Sequence, residues 1–363
     1  MPSTEASERE APLLAILREQ IRRDGPLRLD AFLQRCLCDP AHGYWQGAGG
    51  IGAGGDFITA PEISQVFGEI IGLWAVATWQ GLGQPAAVRL IELGPGRGTL
   101  VRDALRAAAL VGPFLPAVSV HLVEISPALR RLQGQALSGV SRSAIRWHQQ
   151  LADVPAGPAI VIGNEFLDAL PIRQLVFGGD GAWRERTVEL KGAAGLEFGL
   201  GEVVAFQGHR PPVPGDVAEL RGGEDEVLGA LASRRQPLVA LFIDYGPAEP
   251  GYGDTLQAVR RHAYVDPLGD PGRSDITAHV HFAALANKAR SVGFSTDGPI
   301  TQAEFFGRLG MTERAARLMA ANPGCAQQIE TGVQRLLAPS GMGGQFKVLI
   351  VRSSQLPSPE PFA

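Results

Sequence analysis

The sequence predicts an α/β fold, a mainly parallel sheet with crossover helices, and three observations carry that prediction. An apolar run from Val88 to Leu93, broken by Arg89 and Glu92, enters the turn Gly94-Pro95-Gly96-Arg97-Gly98 and then a helix-like segment from Thr99. A second apolar run, 118–123, alternates, ends in Glu124 and is followed by another helical segment. The order then reads strand 88–93, helix 98–111, strand 118–124, helix 127–138, strand 144–148 and strand 158–163. Strands that alternate with helices pair in parallel, because each crossover returns the chain to the same end of the sheet. A Rossmann-like sheet of this kind takes ligands outside the carboxyl ends of its strands. Glu92, Glu124, the turn after Trp147 and the segment after Ile162 should therefore converge.

The remaining elements follow in chain order. Residues 1–10 read as a frayed tail. Leu13, Leu14, Leu17 and Ile21 sit at helical spacing, with Arg18, Glu19, Arg22 and Arg23 opposite them. Residues 29–37 form a second short helix with Asp30 as its N-cap. The stretch 47–55 holds six glycines in nine residues and must be loop, either a lid over a site or a surface hairpin. Helical period returns over 66–79, with Phe67, Ile70, Ile71 and Trp74 apolar. Segments 173–177, 182–190 and 196–206 alternate between glycine turns and read as an antiparallel meander. Residues 214–216 then lead into a polar helix or loop through Ser233, with Asp216 as its N-cap. A buried strand over 238–243 ends in Asp244-Tyr245-Gly246. Helices are expected over 282–292, 301–309, 312–321 and 326–337, and a closing strand over 346–351. The chain thus divides into a helical N-terminal segment with its Gly-rich loop (1–85), a sheet-bearing core (86–171 and 237–353), an insertion of antiparallel strands plus helix (172–236) and a tail (354–363).

At 363 residues, 45% hydrophobic and 19% charged, the composition is that of an ordinary globular protein. A formal net charge of −4 supplies no field that would recruit nucleic acid or an anionic membrane. Cys36, Cys38 and Cys325 make neither a C-x-x-C pair nor an even disulfide set, so a reducing compartment is expected and a metal site is not. No stretch has the length and apolarity of a membrane span. Glu5, Glu8 and Glu10 near the N-terminus argue against a signal or transit peptide and for the cytoplasm rather than the mitochondrial matrix.

The chemistry concentrates at the strand ends. Three alternate glycines let the chain take positive φ and let a ligand lie against bare backbone at a helix N-terminus. An ordinary tight turn needs fewer of them. The spacing is G-x-G-x-G, whereas a dinucleotide site has G-x-G-x-x-G/A. Glu92 beside the turn would repel a pyrophosphate but suit a cofactor bearing an ammonium and a sulfonium, and ELGPGRG (92–98), with Glu92, Gly94, Gly96 and Gly98, resembles the first motif of Rossmann-like S-adenosyl-L-methionine (SAM) methyltransferases more than a dinucleotide site. Glu124 can take the ribose diol; its other reading is a helix cap. Gln150, after the third strand, stands where an adenine would lie. Asn164, Glu165 and Asp168, just past the fourth strand, are the candidates for the reacting group, although Asp168 also reads as the cap of a short helix. Asp56, Glu62 and Asp275 are reserves, and His279 is a weaker one.

Several stretches together resemble the MidA-like family, the bacterial relatives of the mitochondrial complex I assembly methyltransferase. They are GDFITAPEISQVFGE (55–69), IELGPGRGTL (91–100), LVEISPALR (122–130), GNEFLDALP (163–171), DYG (244–246), DPLGDPGRSDITAHV (266–280) and FKVLIV (346–351). The resemblance implies a class I SAM-dependent methyltransferase fold, with Gly94, Gly96 and Gly98 on SAM and Glu124 on its ribose. It also implies methylation of arginine in a protein, such as a respiratory complex subunit. A protonated guanidinium has no free lone pair, and carboxylates such as Glu165 and Asp168, with Asn164 as an orienting amide, would hold its charge. Two other readings stay open: methylation of a small molecule, and a SAM-binding assembly factor without catalysis. An NAD oxidoreductase is a distant fourth.

Overall fold

Seven apolar stretches pair into one sheet: β1 (Val88–Leu93), β2 (Val118–Val123), β3 (Ile145–His148), β4 (Ala159–Asn164), β5 (Leu238–Tyr245), β6 (Phe294–Thr301) and β7 (Phe346–Ser353). The computed structural model describes residues 11–47, 50, 52, 55–139, 144–192 and 195–363. The tail expected over 1–10 and much of the glycine-rich loop over 47–55 lie outside the described residues. Across the sheet the strands run β6-β7-β5-β4-β1-β2-β3. Neighbours from β3 to β5 are parallel, and β7 runs antiparallel to both β5 and β6.

Period-two alternation divides the strand side chains between two cores. Val88, Leu90, Ile160 and Ile162 join one, and Ile91, Leu93 and Val161 the other. Burial on both faces explains why β4 reads as a continuous apolar run. The chain leaves β1 toward β2 and β3, then returns to β4 on the other side of β1. The carboxyl ends of β1 and β4, paired through Leu93 and Gly163, therefore flank a crevice.

One face of the sheet is covered by α4 (Gln65–Gly81), buried on nearly every side, packed against α5 (Thr99–Ala108). Two glycines permit the close approach. A Cβ on Gly72 would lie 2.2 Å from the Ala104 carbonyl oxygen, and one on Gly68 would lie 2.8 Å from the Asp103 Cβ. Glu69 is buried in this contact and pairs with Arg106 (3.0 Å) and Arg314 (2.7 Å).

Two smaller antiparallel sheets complete the wall of the crevice. In the first, Trp183–Lys191 pairs with Arg173–Phe177, Gly195–Val203 and the short Leu27–Arg28, and Arg173–Phe177 also pairs with Val217–Leu220. The Leu27–Arg28 pairing draws α1 (Pro12–Asp24) and α2 (Leu29–Cys38) onto this sheet, in a core that includes Leu13, Phe32, Ile172 and Val188. The second sheet joins Gln257–Arg260, Ala263–Val265 and Asp275–Thr277. Among the described residues, no helix is long and apolar enough to cross a membrane.

Several expectations need correction. Asp30 is not the N-cap of α2; that position is Arg28, and the Asp30 carboxylate is held in the first turn by the Arg28 guanidinium (3.0 and 2.6 Å) and the Ala31 N–H. Asp216 does not cap a helix either. Its carboxylate closes a turn through the Val213 N–H (2.8 Å) and Arg210, and the chain goes directly into the strand Val217–Leu220. The sequence reading also lacks β6, which Asp297 and Gly298-Pro299 interrupt. Proline donates no ladder hydrogen bond, and the strand survives as an edge whose register shifts between Asp297 and Ile300.

Candidate functional site

The turn after β1 is shaped by its backbone angles. Gly94, Gly96 and Gly98 have φ of 59°, 52° and 81°, a region that a side chain makes costly. A Cβ on Gly94 would in addition stand 3.0 Å from the Phe166 ring. The turn borders a cavity of about 830 Å³ at the carboxyl ends of the parallel strands. Glu92, Gly94, Gly96, Glu124 and Gln150 all line it. Gly98 does not; it stands behind the turn as the left-handed N-cap of α5.

Glu92 is buried and its Oε2 has no hydrogen-bond partner among the described residues. Burial pushes its carboxyl up to about 8. A buried acid with a spare oxygen lining a cavity fits a ligand cation, because a paired charge offsets the desolvation that an isolated one suffers. Glu124 is held at the mouth of β2: Oε1 accepts the Ser126 N–H (2.7 Å) and Oε2 accepts Gln133 Nε2 (3.1 Å). A carboxylate has about four acceptor positions, so this leaves capacity for a diol. Burial raises its carboxyl above the ordinary range. Gln150 donates to Asp153 (3.1 Å) at the cavity's edge.

Sequence reasoning missed Gln133. Its buried amide donates to the Gly96 carbonyl (2.8 Å) and to Glu124, and accepts from Trp147 Nε1 (2.8 Å). One side chain thereby fixes the glycine turn, the end of β2 and β3 together. Nothing in its local sequence marks it.

A second cavity, of about 620 Å³, adjoins the first. Both are lined by Trp45, Phe57, Glu165 and Ala169, so these residues form the partition. Glu165 holds φ 49°, unusual for a non-glycine residue and typical of strained functional positions. Its Oε1 accepts the Ala60 N–H (2.8 Å) and Asn164 Nδ2 (3.1 Å), which ties α3 (Ala60–Ile63) to the end of β4. Burial pushes the Glu165 carboxyl up to about 7. Asn164 lines the first cavity, with its Oδ1 unpaired among the described residues. Asp168 lines the second, its Oδ1 also unpaired among the described residues, and burial pushes it up to about 6 against the pull of the Tyr245 hydroxyl and Arg221.

Asp168 does not cap a helix, because no helix follows it. The cap of this loop is Asp244, at the end of β5, whose Oδ2 accepts the N–H groups of Phe166 (3.2 Å), Leu167 (2.9 Å) and Asp168 (3.2 Å). The buried Arg221 braces the same loop. Its guanidinium donates to the Leu167 carbonyl and, on the far side, to those of His279 (2.9 Å) and Ala278 (3.3 Å). Neither residue was foreseen as a brace; an acid ending a buried strand was the available signal for Asp244.

Three of the four reserves, all but Asp56, line one of the two cavities. Glu62 lines the first and accepts the Thr99 hydroxyl. Asp275 and His279 line the second, where the His279 ring meets Tyr245 edge-on and burial holds the imidazole below its ordinary value. Asp56 accepts the Tyr44 hydroxyl (2.8 Å) and the Arg261 N–H (2.7 Å).

Comparison with known proteins adds a family. Residues 70–300 match a family model described as "Putative S-adenosyl-L-methionine-dependent methyltransferase". The mitochondrial protein arginine methyltransferase NDUFAF7 homolog of Drosophila melanogaster is 34% identical, in a match that covers 96% of this chain and 86% of that one. The mitochondrial protein arginine methyltransferase NDUFAF7 of Homo sapiens is 34% identical, in a match that covers 92% of this chain and 82% of that one. Among solved structures, a Burkholderia thailandensis protein described as a "likely methyl transferase" and bound to S-adenosyl-homocysteine superposes with a TM-score of 0.86 at 27% identity, covering 100% of this chain and 97% of that one. A native crystal structure of a superfamily protein from the same organism gives 0.79 at 26% identity, covering 99% and 96%.

Proposed function

The chain belongs to the MidA-like family of SAM-dependent methyltransferases, and from that membership we propose that it methylates arginine side chains in a protein substrate. The observation that carries the proposal is the pair of cavities meeting at Glu165, one walled by the glycine turn, the other by buried acids with unpaired oxygens. We read the sheet, with β7 reversed between β5 and β6, as a Rossmann-like class I methyltransferase sheet. The division proposed for the chain is the one read from sequence, with residues 172–236 as an insertion into the core. A respiratory complex subunit is the proposed substrate class, after the names of the relatives. Three free thiols suit a reducing compartment, and the cytoplasm is our proposed one.

SAM supplies a methyl group on a positively charged sulfur. In our reading Glu92 receives its ammonium, the backbone of Gly94 and Gly96 its amino-acid end, Glu124 its ribose and the Gln150 segment its base. Arginine enters from the second cavity. Its guanidinium is protonated and has no lone pair to spare, so the carboxylates must hold charge on the nitrogens that do not attack. Asp168 does so from the second cavity, with Asn164 orienting from the first. Glu165 touches both cavities, and its carboxyl near 7 suits it to accept the proton that the methylated nitrogen loses. Trp45 and Phe57 exclude water where the two reactants meet.

The test uses tritium-labelled SAM, the purified protein, and protein extracted from cells that lack it. Hydrolysis should recover label as methylarginine. Label only in small molecules, or none although SAM binds, would overturn the arginine reading.

A further inference from the structure

One acid in the second cavity makes no ion pair among the described residues. Asp275 begins the strand Asp275–Thr277, is only 7% exposed, lines the cavity, and has an Oδ1 with no hydrogen-bond partner among the described residues. Its neighbours are provided for. Asp244 accepts three loop N–H groups, and its Oδ1 also accepts the Tyr245 N–H (2.9 Å). Glu165 accepts the Ala60 N–H and feels Arg335, and Asp168 feels Arg221. The charged groups acting on Asp275 are Asp168, Asp56 and Glu165, all of them acids. The phenols of Tyr44 and Tyr245 also sense it. Lys347 lines the same cavity, but its ammonium donates to the Gly344 (2.5 Å) and Gln345 (3.1 Å) carbonyls. The Asp275 backbone pairs with Val259 in the ladder whatever side chain it carries. Burial and the neighbouring acids hold the Asp275 carboxyl well above its ordinary range in the empty protein, and such groups gather where a ligand will supply the missing charge.

We propose that Asp275 is a specificity-determining residue of the acceptor site, the carboxylate that joins Asp168 and Glu165 in holding a guanidinium. The inference rests on the arginine reading above and extends it to a residue on a different element. Asp168 and Glu165 come from the loop after β4, whereas Asp275 comes from the three-stranded sheet. A planar guanidinium has donors along more than one edge, and acids from two elements can engage two edges at once. That fixes which nitrogen is left to face the donor cavity. A neutral side chain would leave the three acids crowded and unpaired, so the site discriminates by charge.

The test compares Asp275→Asn and Asp275→Glu with the parent protein, using labelled SAM and protein extract from cells lacking the enzyme as the methyl acceptor. Asp275→Asn should lower kcat/KM for methylarginine formation roughly 100-fold. It should leave S-adenosyl-homocysteine affinity unchanged and melt no lower than the parent, because burial and the neighbouring acids already hold the Asp275 carboxyl well above its ordinary range, and an amide of the same shape gives up no ion pair. Asp275→Glu should recover part of the rate. A parent that makes methylarginine while Asp275→Asn keeps pace overturns this inference and leaves the arginine reading standing. Activity lost together with a lowered melting temperature assigns Asp275 to folding and overturns it too. A parent that binds S-adenosyl-homocysteine but forms no methylarginine overturns the arginine reading itself.

Discussion

The two cavities that meet at Glu165 are built in different ways. The first takes its floor from consecutive strand ends: Glu92 and the glycine turn, Glu124, then Gln149 and Gln150. Each is a short local signal, an apolar run that stops at a polar residue. The second gathers Phe57, Asp168, Tyr245, Gln257, Asp275 and Phe346 from segments scattered over most of the chain. Its acids come from two sheets, Glu165 and Asp168 from the loop after β4 and Asp275 from the three-stranded one. A cofactor that meets bare backbone can be held by one contiguous motif. A charged side chain of another protein needs acids from several directions, and those must be assembled by tertiary structure.

The sharpest way to break the comparison is Gly94→Val. A β-branched residue at φ 59°, with its Cβ 3.0 Å from Phe166, costs about 1–2 kcal/mol in backbone alone and fills the surface the cofactor needs. SAM affinity measured by calorimetry should fall about 100-fold or more. Unchanged affinity would mean that the glycine turn does not carry the cofactor.

A smaller effect separates the cavities by pH. Burial raises Glu92 to about 8, Glu165 to about 7 and Asp168 to about 6. For an acid whose folded value lies above its unfolded one, the folded state binds more protons between the two. Stability therefore falls as pH rises from the ordinary carboxylate range, about 4, toward about 8. Chemical denaturation across that window should show the decline. Saturating S-adenosyl-homocysteine should remove the Glu92 share at the top of the window, because its ammonium meets that carboxylate, and leave the Glu165 and Asp168 share below it. A flat profile would mean that these acids are not held buried in the free protein.

The same contrast explains what the sequence discloses. The glycine turn, Glu92, Glu124 and the 163–171 stretch are contiguous with apolar strands, and their place at the carboxyl ends follows from alternation alone. The sheet containing Asp275 is hidden because its strands are three or four residues long and partly polar. Asp244 reads as a strand-ending acid, but its work is to cap a loop some 80 positions earlier in the chain, a partnership that no local pattern encodes. Gln133 and Arg221 act through buried hydrogen bonds to other elements, and their neighbours in sequence give no sign of it.

The account turns on donor and acceptor lying on either side of one wall, and a crystal structure of this protein with S-adenosyl-homocysteine tests that most directly. The ligand is predicted to lie along the glycine turn, with its ammonium at Glu92, its ribose at Glu124 and its sulfur toward the partition formed by Trp45, Phe57 and Glu165. A sulfur turned away from that partition, or a ligand seated in the acid-lined cavity, would contradict it.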